Sequence, residues 1–199
     1  MFNLSSGIVA LGANLPASTH SLWQTLRQTV GILHSEPNIS ISAVSRFWRT
    51  PAVPAGAGPD FLNAVALIRS PLTPDAILAR LHAVEAQLGR DRSTGRWSAR
   101  VLDLDLIALD QAVLPDDTTL RHWIDLPPEA QRQATPDRLL LPHPRMQDRA
   151  FVLAPLAEIA PDWRHPLTGR SVTQMLDALG PDALAGMAPM QEQEFRPFA

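Results

Sequence analysis

Between residues 7 and 109 the apolar residues switch period twice, from strand-like to helical and back. Residues 7–12 are a short apolar run closed by Gly12, which predicts a buried strand. Ser18 or Thr19 can cap a helix running to about residue 34, with Leu22, Trp23, Leu26, Val30 and Leu33 on one face. Residues 39 to 49 alternate as a second strand, and 61–68 predict a third, central one. Thr73-Pro74 opens a second helix as N-cap and first-turn proline. That helix turns Ile77, Leu78, Leu81, Val84 and Leu88 inward and stops at Gly89. Residues 101–109 complete the pattern as a strand. The order β-α-β-β-α-β predicts an α+β, ferredoxin-like sandwich, an antiparallel sheet with helices packed on it.

Residues 114–137 interrupt this order. They are polar, rich in Pro and Asp and without sustained periodicity, and they read as an insertion loop. Residues 139–144 resume the core, and 150–159 and 173–179 predict C-terminal helices. Residues 180–199 read as a loosely held tail. No internal repeat is present. The 199 residues therefore make a single domain, 1–199, carrying one insertion.

Composition removes several chemistries. With no cysteine there is no disulfide, thiol nucleophile or Cys-bound metal. All 17 basic residues are Arg, so a Walker A lysine and a Schiff-base lysine are excluded. A net charge of −3 argues against nucleic acid or acidic lipid as a partner. No run reaches the roughly 18 apolar residues of a membrane span. Residues 1–6 carry no basic residue ahead of an apolar stretch, so the expectation is a cytoplasmic protein with no membrane partner.

The sharpest chemical feature is Asp103-Leu104-Asp105. On a strand, residues i and i+2 share a face, so two carboxylates project together while Leu102, Leu104 and Leu106 point to the core. Paired like charges are unfavourable unless a cation neutralises them. Oxygen-only ligation completed by substrate phosphates suits Mg²⁺. The bland alternative is that one Asp faces solvent or caps a neighbour. Immediately upstream, four of the 17 arginines fall within residues 90–100, around Gly95. Arg grips phosphate oxygens in bidentate fashion. Acids for Mg²⁺ beside cations for phosphate is the composition of a phosphoryl-transfer site. His143, between Pro142 and Pro144 and near Arg138, Arg145 and Arg149, is placed to donate to a phosphate oxygen.

Four segments now line up in order: Ala10-Leu11-Gly12-Ala13-Asn14-Leu15, Phe61-Leu62-Asn63-Ala64, the stretch from Arg96 through Asp103 and Asp105 to Leu106, and Leu141-Pro142-His143 through Arg149 to Leu153. Together they resemble the 6-hydroxymethyl-7,8-dihydropterin pyrophosphokinase family of folate biosynthesis, over roughly residues 7–176 apart from the insertion. That family's expected fold is the same ferredoxin-like sandwich.

The resemblance implies pyrophosphate transfer from ATP to a reduced pterin alcohol, leaving AMP. It makes Asp103 and Asp105 ligands of two Mg²⁺ ions and Asn63 the pterin-bonding amide. Phe61 and Phe151 would sandwich the pterin ring, while Thr50, Pro51 and Val53 line its pocket through backbone groups. Arg90, Arg92 and Arg100 would contact the phosphates, and Trp97 would close over the site. Glu85 matches an acid that braces an arginine, and Arg138, His143 and Arg149 match ATP-side contacts. No general base stands out; Asp105 could accept the hydroxyl proton, but a metal-bound carboxylate is a poor base. The partners implied are ATP and the pterin, with the chain acting as a monomer.

This chain departs from the pattern at Ala13, where Ser is usual, and at Trp48 and Phe61, where Tyr is common. Ser98-Ala99 replaces a Gly-Pro pair. None of these removes an implied ligand. Two rivals remain. A ferredoxin-like nucleotide- or RNA-binding module without catalysis conflicts with the net charge of −3. A two-metal nuclease would need further acidic ligands and a nucleic-acid track.

Overall fold

The computed structural model describes residues 4–15, 21–52, 58–89 and 101–191. Strand β1 (Ser5–Ala13) lies between β4 (Phe61–Ser70) and β5 (Asp103–Leu109) and is antiparallel to both. On its other side β4 pairs with β2 (Ser40–Val44) and β3 (Trp48–Thr50), and β3 with a short β6 (Ala188–Pro189). The order β5-β1-β4-β3-β6, with β2 beside β3 on β4, makes an antiparallel sheet with β4 inside it. This is the ferredoxin-like α+β arrangement.

Helices α1 (Leu22–Ser35) and α2 (Pro74–Gln87) cover one face. Beneath them Val9, Leu11, Leu26, Leu33, Ile77, Leu81 and Leu104 are essentially solvent-free. Thr73 Oγ1 accepts from Ala76 N at 3.3 Å, and Gly89 leaves the helix at φ 89°, a conformation that favours glycine. The opposite face is covered in part by α5 (Ala150–Ile159) and α6 (Val172–Leu179), which bury Ile8, Val65, Ile107, Val152, Leu156 and Met175. The part of this face left uncovered holds the chemistry described below. Among the described residues no helix is long and apolar enough to cross a membrane.

Four expectations change. The first helix is capped by Ser21, whose N–H donates to Gln24 Oε1 at 2.8 Å, and not by Ser18 or Thr19. The single strand expected over 39–49 is two strands. Ser45 breaks it, because its backbone N–H donates to Val65 O while its Oγ accepts from Val65 N, both at 2.9 Å. That side-chain bond replaces a ladder bond and bends the chain.

The expected insertion loop contains helices α3 (Asp117–Asp125) and α4 (Pro128–Gln133). Asp116 caps α3 through Thr119 N at 2.9 Å, and Leu120 is fully buried. A single buried leucine in α3, and no leucine in α4, is too weak a periodic signal to read in sequence. Finally, the tail is pinned as far as Met190. Trp48 and Arg49 pair with Pro189 and Ala188, and Met190 N donates to Phe47 O at 2.7 Å.

Candidate active site

Strand register brings the chemistry together. Asp103 lies opposite Gly12, Gly12 opposite Asn63, and Asn63 opposite Trp48. Directly opposed residues project to the same face. One row therefore carries an acid, a gap without a side chain, an amide and an indole. The next row toward the core sets Asp105 opposite Ala10 and Ala10 opposite Val65. Small residues on β1 thus form the floor of a trough with carboxylates on one side and the amide on the other.

Gly12 is required by contact. A Cβ there would sit 2.8 Å from Asn63 Oδ1. Asn63 is 7% exposed, and its Nδ2 donates to Thr50 Oγ1 at 2.7 Å. Thr50 is itself buried. The hydroxyl therefore orients the amide, leaving its oxygen and one N–H for a ligand edge. Phe61, opposite Thr50, and Phe151, in the first turn of α5, are both half-buried.

The acidic side is braced from beneath. Leu104 N donates to Glu85 Oε1 at 2.7 Å, and Glu85 is fully buried. The resemblance implies that this acid braces an arginine; its described bond holds the backbone between the two aspartates. A register shift between Ile8 and Val9 bulges β5, so Ile107 and Ala108 both enter the core beneath α5 and α6. His143 N donates to Ile107 O at 2.7 Å, which docks the 139–144 segment on the bulge.

The cationic side completes the trough. Arg149 Nη1 lies 3.5 Å from Asp105 Oδ2, and its guanidinium lies 5.6 Å from the centre of the Phe151 ring. His143 Nδ1 accepts from Arg145 N at 3.1 Å, so the ring proton belongs on Nε2. Burial, and after it the Arg149 charge, push the His143 pKa down to about 3. The imidazole is therefore a neutral N–H donor at physiological pH.

Asp103, Asp105, His143, Arg149, Asn63, Thr50, Phe61 and Phe151 all belong to this face. Arg138 stands at the surface, paired with Asp137 at 3.1 Å. Val53, Arg90, Arg92, Trp97 and Arg100 lie outside the described residues. Sequence reading assigned Thr50 a backbone role at the pocket, and its side chain in addition holds the Asn63 amide. It also passed over Gly12 as a contact residue and over Glu158, treated below. A glycine inside an otherwise apolar strand is the one signal that could have flagged the first.

The two carboxylates suit a hard cation. They offer oxygen only, share a strand face, and Asp105 keeps 41% of its side chain exposed. Among the described residues no group of three or more His, Asp or Glu could hold a metal, so substrate oxygens would have to complete any such shell. The nuclease reading, which needs more acids, finds no support in these residues.

Comparison with known proteins agrees. The 7,8-dihydro-6-hydroxymethylpterin-pyrophosphokinase (HPPK) family model matches residues 8–161. A Synechocystis protein named 2-amino-4-hydroxy-6-hydroxymethyldihydropteridine pyrophosphokinase is 32% identical over 182 residues, 92% of this chain and 80% of that one. A Pseudomonas aeruginosa protein of the same name is 34% identical over 170 residues, 85% of this chain and 89% of the other. Among solved structures, a Plasmodium falciparum HPPK-DHPS chain superposes with a TM-score of 0.65 at 11% identity, covering 93% of this chain. This chain spans 47% of that one, so the likeness concerns the fold of a part.

Proposed function

The chain belongs to the 7,8-dihydro-6-hydroxymethylpterin-pyrophosphokinase family, and from that premise we propose how its residues divide the reaction. The reaction is pyrophosphate transfer from ATP to the hydroxyl of 6-hydroxymethyl-7,8-dihydropterin, giving the pterin diphosphate and AMP in folate biosynthesis. The observation that carries the division of labour is the row Asp103–Gly12–Asn63. It supports a phosphate-side acid and a pterin-side amide separated by an open floor where the hydroxymethyl group can lie.

In this reading Asn63 bonds the pterin edge, held by Thr50, while Phe61 and Phe151 stack on the ring and Pro51 and Val53 line the pocket. Asp103 and Asp105 would hold two Mg²⁺ ions, which would neutralise triphosphate charge and lower the pKa of the pterin hydroxyl. Glu85 keeps the aspartate-bearing strand in place. His143 donates its Nε2–H to a phosphate oxygen. Arg149 leaves Asp105 for the triphosphate, and Arg90, Arg92, Arg100 and Arg138 add positive charge around the transferring group, with Trp97 closing over it. The pterin oxygen attacks the β-phosphorus, the bond from that phosphorus to the α,β-bridging oxygen breaks, AMP leaves with that oxygen, and the hydroxyl proton passes to solvent. Most of the acceleration comes from positioning and electrostatics. The chain acts as a monomer, a reading supported by exposed large hydrophobics that are scattered singly, at Leu4 and Leu15, among the described residues.

The test is incubation with ATP, the pterin alcohol and Mg²⁺, with nucleotide products resolved by chromatography. AMP formed only with metal and pterin present is expected. ADP as the product, or turnover undiminished by chelation, would remove the assignment.

A further inference from the structure

Glu158 lies in the last turn of α5, seven residues after Phe151 and about 10 Å along the helix axis from it. Its carboxylate collects four donors from one short stretch of the opposing sheet edge. Oε2 accepts from the backbone N–H of Arg46 at 2.9 Å. Oε1 accepts from Arg46 Nε at 2.9 Å, Arg46 Nη2 at 2.6 Å and Trp48 Nε1 at 3.1 Å. The Arg46 guanidinium also lies 5.8 Å from the centre of the Trp48 ring. The stretch is the bend between β2 and β3, where the ladder is interrupted and Ser45 supplies its own bonds.

Trp48 is the residue directly opposite Asn63, and two positions on, Thr50 orients the Asn63 amide. Both therefore share the face toward α5. A continuous path runs from Phe151, down α5 to Glu158, across to Trp48, and back to Asn63 and Thr50. An aromatic stack and a hydrogen-bonding edge must hold a fixed spacing to receive one flat ring. The apolar cluster of Val65 with Val152, Leu153 and Leu156, which also joins helix and sheet among the described residues, sets no direction at the bend.

We infer that Glu158 is a positioning residue for the pterin pocket: it clamps the Arg46–Trp48 bend to α5 and so sets Phe151 against Asn63 and Thr50. The inference rests on the pterin reading of this trough. Surface ion pairs by themselves contribute little stability. The bonds to a backbone N–H and an indole N–H give the carboxylate its directional role, and the guanidinium is secondary.

The experiment measures Kd for 6-hydroxymethyl-7,8-dihydropterin in the presence of a non-hydrolysable ATP analogue, and Kd for the analogue alone, in the full-length chain. Glu158→Ala is expected to weaken pterin binding about tenfold, equivalent to about 1.4 kcal/mol, with analogue affinity within about twofold. Glu158→Gln keeps one acceptor oxygen, so it can retain the backbone or the indole bond but not both, and should recover only part of the loss. Arg46→Ala leaves the backbone and indole bonds and should stay within about twofold of wild type. Trp48→Phe should weaken pterin binding, and adding it to Glu158→Ala should cost little more, because the two share one contact. Unchanged pterin affinity in Glu158→Ala, or equal weakening of both ligands, overturns the inference. Should Glu158→Ala not fold, Glu158→Gln and Trp48→Phe decide: wild-type pterin affinity in either overturns it equally. Wild-type protein that makes no AMP from ATP and pterin is a separate failure, that of the pterin reading itself.

Discussion

Asn63 Nδ2 donates to Thr50 Oγ1 at 2.7 Å across the β3–β4 pair, and both side chains are almost wholly buried. This bond decides which way the Asn63 amide faces the trough. Thr50→Val keeps the shape and removes the acceptor, leaving a buried N–H unsatisfied at a cost of about 1–3 kcal/mol. The amide then has no reason to keep its orientation. Pterin affinity should fall about tenfold or more while ATP-analogue affinity holds, as read by titration calorimetry. Equal affinity for pterin in wild type and variant would show that the amide does not read the ring.

Gly12 makes a second prediction. The Cβ of Gly12→Ala would approach Asn63 Oδ1 to 2.8 Å, closer than a real contact allows. Overpacking of this kind costs about 1–3 kcal/mol. The neighbour that must give way is the amide, not the backbone. Folding should survive and pterin turnover should drop, visible as a raised pterin KM with a small change in Tm. A large fall in Tm with unaltered KM would place the strain elsewhere.

Asp103→Ala and Asp105→Ala should each abolish turnover and leave the fold intact. Each removes an oxygen ligand and relieves repulsion within the pair. Asp105→Ala also frees Arg149 from its 3.5 Å contact. Mg²⁺-dependent binding of the ATP analogue should weaken in both variants, followed by calorimetry at varied metal concentration. Activity within a few-fold of wild type in either would exclude the pair as metal ligands.

The fourth prediction concerns pH and a residue remote from the reaction. His165 is 1% exposed, and its Nδ1 accepts from Leu167 N at 3.2 Å. Burial, and after it the Arg121 charge, lower its pKa from 6.5 to about 4. The unfolded chain takes up a proton here below about 6.5 while the folded chain resists until about 4. Its contribution to stability is thus complete above 6.5 and is lost as pH falls through that window. His165→Asn retains an acceptor and cannot titrate. The drop in Tm between about pH 7 and about pH 5 should be smaller in the variant. His143, also depressed, contributes to both proteins and cancels in the comparison. Identical slopes would show that His165 is not the group responsible.

Local pattern was enough for the elements and for the acids. Two-residue alternation placed Asp103 and Asp105 on one face and Leu102, Leu104 and Leu106 on the other, because a strand's period is a property of its own backbone. Thr73-Pro74 located the start of α2 for the same reason, since a cap bonds within its own first turn. The order of these elements then left few ways to cover an antiparallel sheet, and the four quoted segments were sufficient to name a family.

What tertiary structure decided is everything that depends on register between distant strands. Nothing near Gly12 in sequence says that Asn63 lies beside it, or that Trp48 lies beyond Asn63; these follow from hydrogen-bond pairing across 51 and 15 residues of chain. The split of 39–49 into two strands came from a single Ser45 side chain competing for Val65, a contact without periodicity. Glu158 is one acid on an otherwise apolar helix, and only its meeting with Arg46 and Trp48, 112 and 110 residues earlier, separates it from a solvated charge. Periodicity is encoded locally and can be read from the chain. Partner choice is settled only when the sheet closes, because it depends on which backbones come to lie about 5 Å apart.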